Sequence, residues 1–231
     1  MPSTLPPTPL VCLPGLLGDP RIFEPLIEAI GGARSVTALE LPEGTPFAAA
    51  ERVSLAIRER TARPVHVLTG SWGGLVGLCL PPEQVASLAL VATLPHHSYY
   101  PSWMTPARRA LTLLPPRLVE ALYRRRLARE LALDGVPAPL AAALVERGIE
   151  RSVLLSRLKF ARCRDIPRAR VPALWLAGEE DPQVMWTAHE VRSHHPGAGF
   201  TPVPGRHRPH ASHPEALLER LESWWGEHEG A

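Results

Sequence analysis

The strongest constraint on this chain is an alternation. Short β-like runs at Leu10–Leu13 and at residues 35–41, 65–69 and 85–92 are separated by stretches with helical periodicity. Phe23, Leu26, Ile27 and Ile30 fall at i, i+3, i+4 and i+7, and Gly31-Gly32 follows as a stop. A second helix is expected to turn Phe47, Ala50, Val53, Ser54 and Ile57 inward and Glu51, Arg52, Arg58, Glu59 and Arg60 outward. Strands separated by helices pair in parallel through right-handed crossovers, so the expected architecture is α/β, a mostly parallel sheet of about six strands with helices on both faces.

The rhythm breaks near residue 94. From 101 to 165 only helical patterns occur, at 107–114, 117–133, 138–147 and 151–162, punctuated by Pro115-Pro116, by Gly135 to Pro139 and by Gly148. It then resumes with a strand at 172–177, a helix at 183–193 and a strand at 200–203. The last helix is expected to open on a capping box from Ser212 to Glu215 and to carry Leu217, Leu218, Leu221, Trp224 and Trp225 on one stripe. The expected organisation is one core, residues 1–100 and 166–231, interrupted by a helical insert, residues 101–165.

Composition narrows the classes further. With 231 residues and 45% apolar side chains the chain can bury a full core, and it is too apolar for a disordered one. Its 27 prolines and 17 glycines follow no period, which excludes a fibre. No apolar run approaches the ~20 residues of a membrane span. The N-terminus lacks a basic leader region, and Pro14 and Gly15 break the apolar stretch after it, so no secretory signal is expected. Cys12, Cys79 and Cys163 are far apart, as expected of reduced thiols in the cytoplasm.

Charge is uneven. Residues 97–170 hold fifteen arginines and lysines against six acids, a local +9, while the rest of the chain carries −7; Lys159 is the single lysine. A basic insert of this kind attracts an acidic partner. It lacks interleaved aromatics and any recognisable nucleic-acid module, so nucleic acid is not expected.

The chemistry gathers at strand ends. The third strand runs into Thr69-Gly70-Ser71-Trp72-Gly73-Gly74, a tight strand-to-helix turn with a serine at its apex. Such a turn needs small residues two before and two after the apex; Gly73 complies and Thr69 departs from the rule. A glycine-rich cap on a buried helix has the same local pattern, so the other strand ends decide. The first strand ends in Pro14-Gly15-Leu16-Leu17-Gly18, whose amides can face an anion. Strand 172–177 is followed by Gly178-Glu179-Glu180-Asp181, and strand 200–203 by Pro204-Gly205-Arg206-His207. The C-terminal ends of parallel strands share one rim, so Ser71, Asp181, His207 and the Leu16 amide are expected to converge. Glu179 and Glu180 compete with Asp181, and His210 with His207. His207, His210 and His213 recur every third residue, but Pro209 and Pro214 prevent one helix from aligning them. Neither a metal nor a cofactor is expected.

The order Ser, Asp, His is that of nucleophile-elbow enzymes, and from Leu10 to Trp225 the chain resembles the α/β-hydrolases. The segments around Val171 to Asp181 and Gly205 to Glu215 are similar to those carrying that family's acid and histidine. The insert stands where the family has its cap. Within the family, the serine turn, the histidine segment and the four-helix cap are most similar to the esterases that cleave pimeloyl-acyl-carrier methyl esters. Pro14 stands where many members have His, and the two leading antiparallel strands are missing. Epoxide hydrolases and haloalkane dehalogenases on this fold use Asp where this chain has Ser71.

The resemblance implies a serine hydrolase acting on a carboxylic ester or thioester. Ser71 would be its nucleophile, His207 the base, Asp181 the orienting acid, and the Leu16 and Trp72 amides the oxyanion hole. His96, Tyr99, Trp103, Met104 and Trp186 are expected substrate contacts, as are Arg124 and Arg125 of the basic insert, which suits an acidic acyl carrier protein. Thioesterase, acyltransferase and carbon–carbon hydrolase or lyase chemistry use the same triad. A non-catalytic small-ligand-binding module is the contrasting class.

Overall fold

The computed structural model describes residues 6–100, 104–161, 164–184 and 186–228. Six strands, β1 (Leu10–Leu13), β2 (Val36–Ala38), β3 (Val65–Gly70), β4 (Val85–Val91), β5 (Ala173–Gly178) and β6 (Gly199–Val203), form one sheet in the order β2-β1-β3-β4-β5-β6. Every neighbouring pair is parallel. The chain leaves β1 for β2 and then returns to place β3 on the other side of β1. The C-terminal ends of β1 and β3 therefore flank a topological switch point, where open α/β sheets bind ligands.

Helices α1 (Glu24–Ile30), α2 (Pro46–Arg58) and α3 (Gly73–Leu78) cross over between the early strands; α4 (Met104–Leu113), α5 (Pro116–Asp134), α6 (Ala138–Arg147) and α7 (Arg151–Phe160) form the insert; α8 (Ala188–His194), α9 (Pro209–Ser212) and α10 (Pro214–Gly226) complete the core. Alternating strand residues serve opposite faces. Leu10 and Cys12 pack with α1 and α10 on one side, and Val11 and Leu13 with α2, α3 and α8 on the other. Leu127 and Leu131 of α5 and Leu140 and Leu144 of α6 extend the first of these clusters, so the insert is seated on the α1 side of the sheet. Strands β1, β3 and β5 are buried along their whole length, which is why β1 and β5 read as continuous apolar runs, while β3 also buries His66 and Thr69. Among the described residues no helix is long and apolar enough to cross a membrane.

Four local expectations change. Strand β2 is shorter than residues 35–41, because it is a half-buried edge strand whose ladder ends at Ala38. Thr45 caps α2 by accepting the Ala48 N–H at 3.1 Å, which sets the helix phase; Ala49 is then buried and Phe47 points outward, 41% exposed. The helix expected at 183–193 starts only at Ala188, because the backbone after β5 turns around Asp181. The Ser212–Glu215 box does not form. Ser212 instead closes α9, its hydroxyl donating to the Arg208 carbonyl at 3.1 Å, and His213 takes the cap position of α10. Cys12 is buried and Cys79 half-buried, both as free thiols; Cys163 lies outside the described residues.

Candidate active site

Strand β3 ends at a serine held in the left-handed region, Ser71 at φ +47°. A non-glycine residue there costs about 1–2 kcal/mol and persists only where its surroundings over-determine it. Three hydrogen bonds do so. The Ser71 N–H donates to the Val91 carbonyl at 2.7 Å, while the Ser71 carbonyl accepts from Thr93 Oγ1 at 2.9 Å and from the Gly74 N–H at 3.0 Å. The loop after β1 lies against the same turn. A Cβ on Gly73 would collide with the carbonyl oxygens of Pro14 and Leu13, so the position two after the serine must be glycine. Thr69, the departure on the other side, is accommodated one turn into α3. Its Cγ2 fills the space above Gly77, where an added Cβ would stand 2.9 Å away, and its hydroxyl donates to the Ala89 carbonyl at 3.3 Å.

The loops after β5 and β6 are equally tight. The Glu179 N–H donates to the Val203 carbonyl at 2.9 Å and the Glu180 N–H to the Gly205 carbonyl at 3.0 Å. A Cβ on Gly178 would strike the Arg206 carbonyl. This packing brings His207 Nδ1 to 2.7 Å from Asp181 Oδ2, while Oδ1 accepts the Gln183 N–H at 2.9 Å. Burial pushes the Asp181 carboxyl up, but the hydrogen bond and charge of His207, the Gln183 amide and Arg208 outweigh it and hold the acid below its ordinary range. Glu179 and Glu180 are exposed and point away.

His210 is the rival the structure separates from His207. It is wedged between Phe23, 4.7 Å away centroid to centroid, and Gly70, and its buried Nδ1 has no hydrogen-bond partner among the described residues. Burial, with the nearby Arg208 and His207, pushes its pKa down to about 3. An imidazole so reluctant to take a proton is a poor general base at neutral pH. His213 sits against Gly205 and its Nδ1 is 3.0 Å from the Ser212 hydroxyl.

Ser71, Asp181 and His207 line one cavity of about 1320 Å³, as do Leu16 and Trp72. Trp72 follows Ser71 and immediately precedes α3, and a Cβ on Gly15 would stand 3.3 Å from the Ser71 Cβ, so the turn that leads into Leu16 lies against the serine. Neither amide has a hydrogen-bond acceptor among the described residues. Tyr99, Met104 and Trp186 also line the cavity. His96 does not. Its ring stacks on His194 at 4.1 Å and its Nδ1 is 2.8 Å from the Ser98 hydroxyl, which turns it into the rim loop. Arg124 and Arg125 lie on the exposed side of α5 and stay off the cavity wall, because the helix turns Tyr123, Arg126 and Leu127 toward it instead. Arg126 is paired with Glu130 at 2.7 Å. Trp103 lies outside the described residues.

Sequence reasoning passed over Thr93, which grips the serine turn, and Arg208, which ties the histidine loop to Asp134 and to Glu130 of α5. Thr93 follows a strand with no distinguishing motif. Arg208 had a signal, its place directly after His207. Among the described residues no group of three or more His, Cys, Asp or Glu is arranged to hold a metal ion.

Comparison with known proteins places the chain in a family. The family model described as the alpha/beta hydrolase family matches residues 10–220. The pimeloyl-[acyl-carrier protein] methyl ester esterase of Xanthomonas oryzae pv. oryzae (strain MAFF 311018) is 29% identical, covering 92% of this chain and 93% of its own length. Among solved structures, Cfl2 of Burkholderia cenocepacia superimposes with a TM-score of 0.76 over 95% of this chain and 88% of that one, at 15% identity. The Bacillus megaterium epoxide hydrolase does so with 0.76 over 95% and 93%, also at 15%. At such identities the structures speak for the fold alone. Because the family match runs from the first residue of β1 into α10, taking in the serine turn and both rim loops, the chain belongs to the α/β-hydrolase family.

Proposed function

We propose that the protein is a serine hydrolase that cleaves a carboxylic ester or thioester through an acyl-enzyme. One observation carries this reading: a buried Asp181–His207 hydrogen bond of 2.7 Å on the wall of the cavity onto which the strained Ser71 opens. A serine hydroxyl is a weak nucleophile at neutral pH and needs a base. His207 Nε2 takes the Ser71 proton as Oγ attacks the acyl carbon, and gives it to the departing alcohol or thiol. Asp181 holds the imidazole by Nδ1–H and stabilises the imidazolium. The Leu16 and Trp72 amides receive the oxyanion. Water, activated by the same histidine, then releases the acid and regenerates Ser71.

The substrate is an acyl chain. Leu75, Leu111, Val119, Leu127, Leu131 and Leu154 contribute to an apolar wall, and the volume exceeds the ~300–1,000 Å³ of common ligand sites. Residues 101–165 serve as the cap over this chamber. Its surplus of cations, and the resemblance to an esterase whose substrate rides on acyl carrier protein, support an acidic carrier as the acyl donor, docked through Arg124 and Arg125.

Hydrolysis of short p-nitrophenyl esters tests the reading. Wild-type protein should hydrolyse them and take one fluorophosphonate per chain on Ser71, and Ser71→Ala should do neither. Undiminished hydrolysis by Ser71→Ala, or an inert wild type, would dismiss it.

A further inference from the structure

Among the described residues one arginine is buried. Arg157 of α7 is only 3% exposed, in an insert whose other described arginines reach solvent. Its side chain leaves the insert and enters the core at the switch point of the sheet. Nη1 donates to the Leu16 carbonyl at 2.6 Å and Nη2 to the Leu41 carbonyl at 2.7 Å. The Arg157 backbone carbonyl accepts the Trp72 indole N–H at 2.8 Å, and the guanidinium stands 5.6 Å from the centre of that ring. Space for it comes from Gly18, in the left-handed region at φ +80°; a Cβ there would lie 2.6 Å from Nη1 and 2.9 Å from Nη2.

The partners of this side chain are informative. Leu16 and Trp72, the two residues whose amides the proposed mechanism assigns to the oxyanion, belong to different loops; the Arg157 side chain holds the first and its main-chain carbonyl the second. No carboxylate among the described residues lies within ion-pair distance of its guanidinium. Burying a cation without a carboxylate is costly, and an apolar side chain of similar volume would anchor the insert at lower cost. The two charge-assisted bonds to carbonyls offset part of that cost, and their planar fork ties the Leu16 loop to the Leu41 segment. The Leu16 carbonyl, held from the insert side, fixes the Leu16–Leu17 peptide, while the Gly15 carbonyl of the preceding peptide accepts the Gly18 N–H at 3.0 Å; Leu16, whose N–H belongs to that preceding peptide, is thereby held from both sides. The Trp72 indole is held by the main-chain carbonyl at position 157, a bond that any side chain there would keep.

We propose that the Arg157 side chain is a positioning residue for the oxyanion hole, holding from the insert the loop that carries the Leu16 amide. The inference rests on the reading of Ser71 as an acyl-enzyme nucleophile, and it adds that the insert helps to build the transition-state site as well as roof it. A hole held open by a fork should matter in the transition state and little in substrate binding.

The test compares Arg157→Met and Arg157→Lys with wild type, with kcat counted per fluorophosphonate-titrated site so that misfolded protein drops out. Arg157→Met should lower kcat on p-nitrophenyl butyrate about 100-fold, the cost typical of one lost oxyanion donor, while KM moves by less than about threefold. It should weaken a trifluoromethyl ketone, which forms an oxyanion adduct on the serine, by about the same factor. Arg157→Lys retains the charge but can serve only one carbonyl well, and should recover part of the loss. A kcat per titrated site within about twofold of wild type, or unchanged ketone affinity, would overturn the proposal. Where Arg157→Met yields no folded protein, Arg157→Lys decides alone: about tenfold lower kcat with weaker ketone binding supports it, and wild-type values for both overturn it. An inert wild type or an active Ser71→Ala would overturn the reading of Ser71 and this inference with it; a normal Arg157→Met beside a dead Ser71→Ala overturns the inference alone.

Discussion

The rim of the sheet and the helical insert above it are built on different terms. At the rim, backbone meets backbone: Gly73 lies under the Pro14 carbonyl, Gly178 under the Arg206 carbonyl, and the β5 and β6 loops share hydrogen bonds. Such close approach leaves a side chain no freedom, so Asp181 and His207 meet at a fixed distance. In the insert, α4 buries none of its residues, Leu113 is 86% exposed and Leu122 is 47% exposed. The insert is held mainly through α5 and α6 against α1, through Arg208 to Asp134, and through Arg157. Chemistry that needs accuracy of about 0.5 Å belongs on the rigid half. On the proposed function, recognition of the acyl group would fall to the other half.

The contrast is broken most severely at the rim. Ser71→Ala should cost about 10⁴-fold or more in kcat/KM on a short ester, roughly 5–8 kcal/mol of transition-state stabilisation, without loss of fold. Steady-state kinetics and far-UV circular dichroism check it; a residual rate above one per cent of wild type contradicts it. Asp181→Asn keeps the shape of the acid but gives the imidazole the wrong hydrogen-bond partner. A fall of about 10³- to 10⁴-fold in kcat is expected, larger than the effect on KM.

The third prediction concerns pH and the core beneath the rim. His210 has its pKa pushed down to about 3 in the folded chain, against about 6.5 when unfolded. The unfolded chain therefore binds the extra proton first, and the folded state loses stability as pH falls below about 6.5, by at most roughly 1.4 kcal/mol per pH unit, until the folded pKa is reached. His195, pushed down to about 4 chiefly by burial, acts in the same direction. Asp181 acts in the same direction in a more acidic window: its lowered pKa contributes stability that is present above the ordinary carboxylate range and is lost as pH falls through the folded pKa. Urea unfolding at pH 4.5 and 6.5 should show His210→Leu losing less stability on acidification than wild type; equal losses would refute the assignment.

The smallest effect belongs to the insert's surface. Charge reversal at Arg124 and Arg125 should raise KM for an acyl-carrier substrate about tenfold, through slower association, and fade with added salt. A change of the same size for a short ester would show that these arginines serve the cavity instead.

Parallel pairing, the interruption near residue 94 and the strand ends that carry Ser71, Asp181 and His207 were legible in the residue pattern, because periodicity and glycine-rich turns are local signals. Other features depend on partners remote along the chain. Thr69 looked too large for its turn, yet Gly77 makes room for it, a compensation visible only when α3 is laid against β3. His207 and His210 are three residues apart in the same segment. Folding puts one beside a carboxylate at the cavity wall and the other between Phe23 and Gly70, with opposite consequences for proton chemistry.

The order of strands and helices and the residue types at the rim were determined by the sequence itself, since each follows from apolar spacing and turn chemistry within a dozen residues. Only the tertiary structure decided which of many arginines is taken out of water. Burial of a charge depends on what the rest of the chain brings around it, and Arg157 carries no mark along the chain that separates it from its exposed neighbours.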